Sequence, residues 1–136
     1  MAQRTRLKLN AEALWEYALR ALAGRAHSVA ELSEKLRRRA EHEEDVSRVV
    51  AQLKQYGYLD DRRYAQAFAA SRLENEGFGK MRVLAELRRR RVAPSIAEQA
   101  VKKTYQDVDE TALIETFLER KFRRPPAAEA LADPRR

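Results

Sequence analysis

One device recurs along this chain at nearly constant spacing. Leu9, Asn10 and Leu14 stand in the order of a hydrophobic staple, in which an apolar residue just before a helix cap packs on one in the helix's first turn. Leu59, Asp60 and Tyr64 repeat the order about fifty residues later, and Val108, Asp109 and Leu113 repeat it about fifty later again. Three evenly spaced helix starts restrict the fold to a tandem helical array. The expected fold class is all-α: tandem three-helix repeats in an elongated array, two complete and a third partial.

The stretches between the starts supply the remaining helices. After Asn10, a good N-cap, Leu14, Ala18 and Leu22 share one face of a helix over about 11 to 23, and Gly24 suits a left-handed residue that ends it. Ser28 and Glu31 have the spacing of a capping box ahead of the Leu32 and Leu36 stripe. A third helix opens on Glu43, Glu44 and Asp45, carries Val46, Val49, Val50 and Leu53 inward, and stops at Gly57. The second unit repeats this scheme. A helix over about 61 to 74 turns Tyr64, Ala65, Phe68, Ala69 and Leu73 inward, the next carries Val83, Leu84 and Leu87, and the last starts at Pro94 and buries Ile96, Ala100 and Val101. The expected boundaries are 10–58 for repeat 1, 59–107 for repeat 2 and 108–124 for the first helix of an incomplete repeat 3, with Leu113, Phe117 and Leu118 apolar. A tail over 125–136, broken by Pro125, Pro126 and Pro134, is expected to be flexible.

Composition narrows the function classes. There is no cysteine, which excludes disulfides, thiolate metal sites and a cysteine nucleophile. No run approaches the ~18 apolar residues of a membrane span, and the polar start lacks the apolar core of a secretory signal, so a soluble, cytoplasmic, monomeric protein is expected. The formal net charge is +7, from 28 Lys and Arg against 21 Asp and Glu. With so many acids present, that excess directs binding only where it is locally concentrated.

The most conspicuous candidates for chemistry are Asp60 and Asp61. A catalytic or metal-binding pair needs further carboxylates or histidines on the same pocket, yet Arg62 and Arg63 follow directly. A cap and a first-turn acid account for both residues, and Asn10, Ser28, Glu31 and Asp109 are read as structural caps in the same way. His27 and His42 have no partner at helical ligand spacing, so no metal site is expected. No phosphate-binding loop or nucleophile motif is present, and Gly77 and Gly79 read as relief for a tight connection. Tyr17, Tyr64 and Phe68 are assigned to packing, whereas Trp15, Tyr56 and Tyr58 are open to a stacking role. The chain reads as a non-enzyme without a cofactor.

The basic clusters are the more informative signal. Arg37, Arg38 and Arg39 end one helix, and Arg88, Arg89, Arg90 and Arg91 end its counterpart in the next unit. A helix C-terminus is stabilised by cations, but one or two suffice for that. With Lys80, Arg82, Lys102 and Lys103 added, the set is read as a surface for a partner or for DNA.

A resemblance then emerges. Arg25, Ser28, Glu31, Leu32 and Leu36 are followed by Gly57, Leu59, Asp60, Asp61, Tyr64 and Ala65, and then by Gly79, Val83, Glu86 and Leu87. In this order they resemble the RecX family of recombination regulators over about residues 10 to 122. That resemblance implies an elongated, curved array of three-helix repeats. It also implies binding in the groove of the RecA–DNA filament, with inhibition of RecA ATPase, strand exchange and coprotease activities, and hence a part in DNA repair and the SOS response. A direct, non-sequence-specific DNA-binding module is the alternative reading of the same arginines. Two positions depart from the family pattern. Ala40 and Arg91 stand where a glycine is frequent, and local turns there are expected to differ.

Overall fold

The computed structural model describes residues 7–123, so the tail expectation for 125–136 lies outside the described residues. Among the described residues seven α-helices follow one another: α1 Ala11–Gly24, α2 Val29–Arg37, α3 Glu43–Gln55, α4 Asp61–Glu76, α5 Lys80–Arg89, α6 Pro94–Tyr105 and α7 Glu110–Arg123. The described residues contain no strand, only an isolated bridge between Leu9 and Ala40. In each repeat the third helix packs on the other two, α3 on α1 and α2, and α6 on α4 and α5.

The helix starts have identifiable causes. The Asn10 side chain accepts the Ala13 N–H, Asp60 accepts those of Arg62 and Arg63, and Asp109 accepts those of Thr111 and Ala112. Each bond satisfies a donor that the helix itself cannot pair. Ser28 and Glu31 close a full capping box on α2. α3 and α5 start differently, since neither His42 nor Gly79 caps with a side chain.

The ends are more varied. Gly57 (φ 80°) and Gly77 (φ 64°) take the left-handed conformation, whereas Gly24 remains within α1. The expected left-handed stop at Gly24 is therefore corrected. Arg25 leaves the helix in extended backbone (φ −165°), and its N–H bonds the Ala21 carbonyl, so no left-handed residue is needed. The expectation of unusual turns at Ala40 and Arg91 is corrected in part. Arg91 adopts φ 61°, the conformation a glycine would take most easily, while Ala40 is held in the bridge to Leu9.

Two cores result, one per repeat. The first gathers Leu14, Ala18, Leu32, Leu36, Val46, Val49, Val50, Leu53 and Leu59, and the second Tyr64, Ala65, Ala69, Val83, Leu87, Val92, Ala97, Ala100, Val101 and Tyr105. Ile96, expected inside, is half-buried beside the second core. Leu59 is buried with repeat 1, while its supposed staple partner Tyr64 belongs to the core of repeat 2. Val108 and Leu113 likewise pack on the second core. α7 is covered only along that edge, leaving Ile114, Phe117 and Leu118 60%, 58% and 41% exposed.

Candidate functional site

Repeat 2 meets repeat 1 where the C-terminal turn of α5 reaches the N-terminus of α2, and much of the expected basic surface is used there. The Ser28 hydroxyl accepts the Glu31 N–H (3.1 Å) and donates its own proton to the Arg90 carbonyl (2.8 Å). An aspartate could make the first bond but not the second. Arg90 Nη1 reaches Glu31 Oε2 and the Tyr64 hydroxyl, each at 3.3 Å, and the guanidinium lies over the Phe68 ring at 4.8 Å. Burial raises the Tyr64 hydroxyl above its ordinary pKa, with the Glu31 charge adding to the effect. Arg91 reaches the Ala30 carbonyl at 3.5 Å. Arg90 is thus a half-buried junction residue.

A second device ties each repeat to the one before it. Asp61 Oδ1 accepts the Val29 N–H at 2.8 Å, so the first residue of α4 caps α2 of the preceding repeat. At the next junction Glu110, the first residue of α7, accepts the Lys80 N–H at 3.3 Å and pairs with the Lys80 ammonium at 3.7 Å. Gly79 makes room for it, since a Cβ there would stand 2.9 Å from Glu110 Oε1. The missing side-chain cap of α5 is therefore supplied from the following helix. Asp61 is more than the first-turn acid expected of it.

The remaining basic residues divide by partner. Arg37 pairs with Glu34 (3.4 Å) and Glu43 (3.3 Å), and Arg38 pairs with Glu34 (3.7 Å). Arg39 is half-buried over Tyr17 at 4.9 Å, and its Nε is buried with no hydrogen-bond partner among the described residues. Arg82 stacks over Phe78 at 3.5 Å. Arg88, Arg89, Lys102 and Lys103 are exposed and make no ion pair within the described residues. They do not form one cluster: α6 starts beside the end of α5, and Lys102 lies about 12 Å further along it at 1.5 Å per residue. Lys102 and Lys103 sit at the far end of α6 from the arginines.

Some of this was hidden from sequence reasoning. Nothing in the run Arg88 to Arg91 tells which guanidinium faces a neighbouring repeat. The one available signal was the acid directly after each cap, Asp60–Asp61 and Asp109–Glu110, which is missing from Asn10–Ala11, where no described repeat precedes. His27, buried at the same junction, donates from Nδ1 to the Arg25 carbonyl (3.0 Å). Burial lowers its pKa, with Arg25 adding to the effect. No group of three or more His, Asp or Glu that could hold a metal occurs among the described residues, and no described helix is long and apolar enough to cross a membrane.

Comparison with known proteins decides the family. The model of the RecX first three-helix domain matches residues 15–53, and that of the RecX second three-helix domain matches residues 60–101. The chain belongs to the RecX family. Regulatory protein RecX of Chlorobaculum tepidum is 33% identical over 113 residues, spanning 83% of this chain and 68% of the relative. Regulatory protein RecX of Halorhodospira halophila is 38% identical over 111 residues, spanning 82% and 67%. The crystal structure of RecX from Lactobacillus salivarius superposes with a TM-score of 0.74 at 21% identity, covering 81% of this chain and 71% of that one, which shows the shared fold. Both RecX domain matches end before α7 begins.

Proposed function

We propose that this RecX-family chain is a non-enzymatic regulator that lies in the groove of a RecA–DNA filament and inhibits its ATPase, strand-exchange and coprotease activities. A body bridging neighbouring protomers holds the filament in one state and blocks the passage of a second DNA. The single observation that carries the choice of surface is the exposure of Arg88 and Arg89 with no ion pair among the described residues. An unpaired cation meets an acidic protomer edge or a phosphate without first breaking an internal salt bridge. Arg82 extends this surface, Lys102 and Lys103 offer a separate basic point at the far end of α6, and Arg37 and Arg38 join only by exchanging their glutamates. Arg90 and Lys80 are bound within the chain and act by holding the repeats in place.

The test is a titration into a RecA–single-stranded DNA ATPase assay, comparing wild type with Arg88→Glu/Arg89→Glu. Loss of inhibition with unchanged helicity is expected, and unchanged inhibition would remove the assignment. Four unpaired cations also favour direct DNA binding as a second reading. That reading predicts affinity for bare duplex falling with salt at a log–log slope of about −0.9 per phosphate contacted. Equal affinity for bare DNA and for the filament at physiological salt would make it the better one.

A further inference from the structure

Repeat 1 carries a surface feature that neither its fold nor the basic surface of repeat 2 employs. α1 and α3 border an open cleft of about 590 Å³ lined by Ala11, Glu12, Trp15, Glu16, Gln52 and Tyr56. The Trp15 and Tyr56 rings meet edge to face at 5.8 Å, and Tyr58 continues the row with its ring 6.1 Å from that of Tyr56. Tyr56 and Tyr58 are 61% and 55% exposed, so the row is open to solvent. Glu12 and Glu16 stand one turn apart on α1, exposed, and form no ion pair within the described residues.

The second repeat shows that the fold does not require this arrangement. With Leu14 set against the equally buried Ala65 and Val50 against Val101, the six cleft positions become Arg62, Arg63, Gln66, Ala67, Lys103 and Asp107. There the first helix packs on the third with no aromatic pair between them among the described residues. The aromatic and acidic character is therefore an addition peculiar to repeat 1.

We propose that this cleft binds a lysine or arginine side chain presented by an extended basic segment of a partner protein. The faces of tryptophan and tyrosine attract a cation through their ring quadrupoles, and two free carboxylates beside them supply charge and hydrogen-bond acceptors. The Gln52 amide adds an acceptor at the opposite wall. A nucleic acid would find the same aromatics, but its phosphates would meet Glu12 and Glu16, so the sign of the charge selects protein over nucleic acid. The proposal is independent of the polyanion surface on repeat 2, which has the opposite sign.

Trp15 is the only tryptophan, so its emission reports on the cleft. The whole chain is titrated with an oligolysine peptide, with the same peptide fully acetylated on its lysines, and with oligothymidylate. A saturable change in Trp15 emission with oligolysine alone is expected, unaffected by Arg88→Gln/Arg89→Gln. In Glu12→Gln/Glu16→Gln, affinity should fall about tenfold or more at unchanged circular dichroism, which corresponds to the combined loss of two modest charge contacts. Tyr56→Leu, at an exposed position, carries the same expectation should the double variant lose helicity. No saturable response, equal affinity in the carboxamide variant, or an equal response to the acetylated peptide or to oligothymidylate would each overturn the proposal.

Discussion

Arg39 and Arg90 occupy the same place in the two repeats, three residues after the last buried leucine of the second helix, and their surroundings differ in what pairs with the carbonyl and with the guanidinium. Each lies over an aromatic ring of its own first helix, Tyr17 for Arg39 and Phe68 for Arg90. The carbonyl of Arg90 accepts the Ser28 hydroxyl of the preceding repeat, whereas the carbonyl of Arg39 accepts the N–H of Leu9 at 2.7 Å. Glu41 N–H bonds the Leu9 carbonyl in return at 2.9 Å. The segment before α1 thus covers the helix end that a preceding repeat covers elsewhere. Without it, the exposed helix end would leave polar backbone unpaired. Arg90 gains Glu31 in addition, and Arg39 pairs with no carboxylate among the described residues.

The largest test of this comparison is in the cores. Leu36 and Leu87 are equivalent and both fully buried, so either change to alanine should cost about 2–5 kcal/mol. Denaturant unfolding followed by circular dichroism and by Trp15 emission would show whether the loss is shared. Trp15 lies in repeat 1, so if the junction couples the repeats, Leu87→Ala shifts both signals together. A Trp15 transition left in place would mean that the Ser28, Glu31 and Asp61 contacts transmit little.

A smaller effect is expected from the cap that serves both repeats. Ser28→Asp keeps an acceptor for the Glu31 N–H but has no proton for the Arg90 carbonyl, and it puts a carboxylate where the serine is fully buried. A cost of about 1–3 kcal/mol follows from the unsatisfied carbonyl and the buried charge. At Asp60, which caps only its own helix, Asp60→Ser should cost little, because serine and aspartate cap about equally well. Equal melting of the two variants would argue against a bridging role for Ser28.

Arg90→Ala against Arg39→Ala sharpens the opening contrast. Arg90→Ala removes an ion pair, a bond to Tyr64 and stacking on Phe68, for about 1–2 kcal/mol at a half-buried site. Arg39→Ala loses stacking alone and also removes a buried, unpartnered Nε, so its cost should stay below about 1 kcal/mol. A reversed order in thermal melts would mean that Arg39 has a partner of comparable strength.

What could be read from the sequence was whatever rests on local geometry. The caps, the capping box and the stripe of Leu32 and Leu36 depend on residues within four positions of one another, and the structure has them in those roles. The junction depends on residues 32 to 62 positions apart, such as Val29 with Asp61 and Glu31 with Arg90, and no local pattern carries that information. The arginine run therefore looks uniform in sequence, although two of its members face the preceding repeat and two face solvent. Gly24 misled for a related reason. A glycine near a helix end permits a left-handed stop, but the extended path through Arg25 needs none.

The smallest expected effect concerns the two positions where a glycine was anticipated. Arg91 holds φ 61°, which for a residue with a Cβ costs on the order of 1 kcal/mol, and its bond to Ala30 is long at 3.5 Å. Arg91→Gly removes that strain but enlarges the conformational freedom lost on folding, so the net gain should be about 0.5 kcal/mol or less. Ala40 holds no left-handed conformation and is tied to Leu9, so Ala40→Gly incurs the entropy cost with no strain to relieve, about 0.5–1 kcal/mol of destabilisation. The two substitutions should thus move the melting temperature in opposite directions. A gain from Ala40→Gly would mean that repeat 1 turns as repeat 2 does, and that the Leu9 bridge does not replace the left-handed turn.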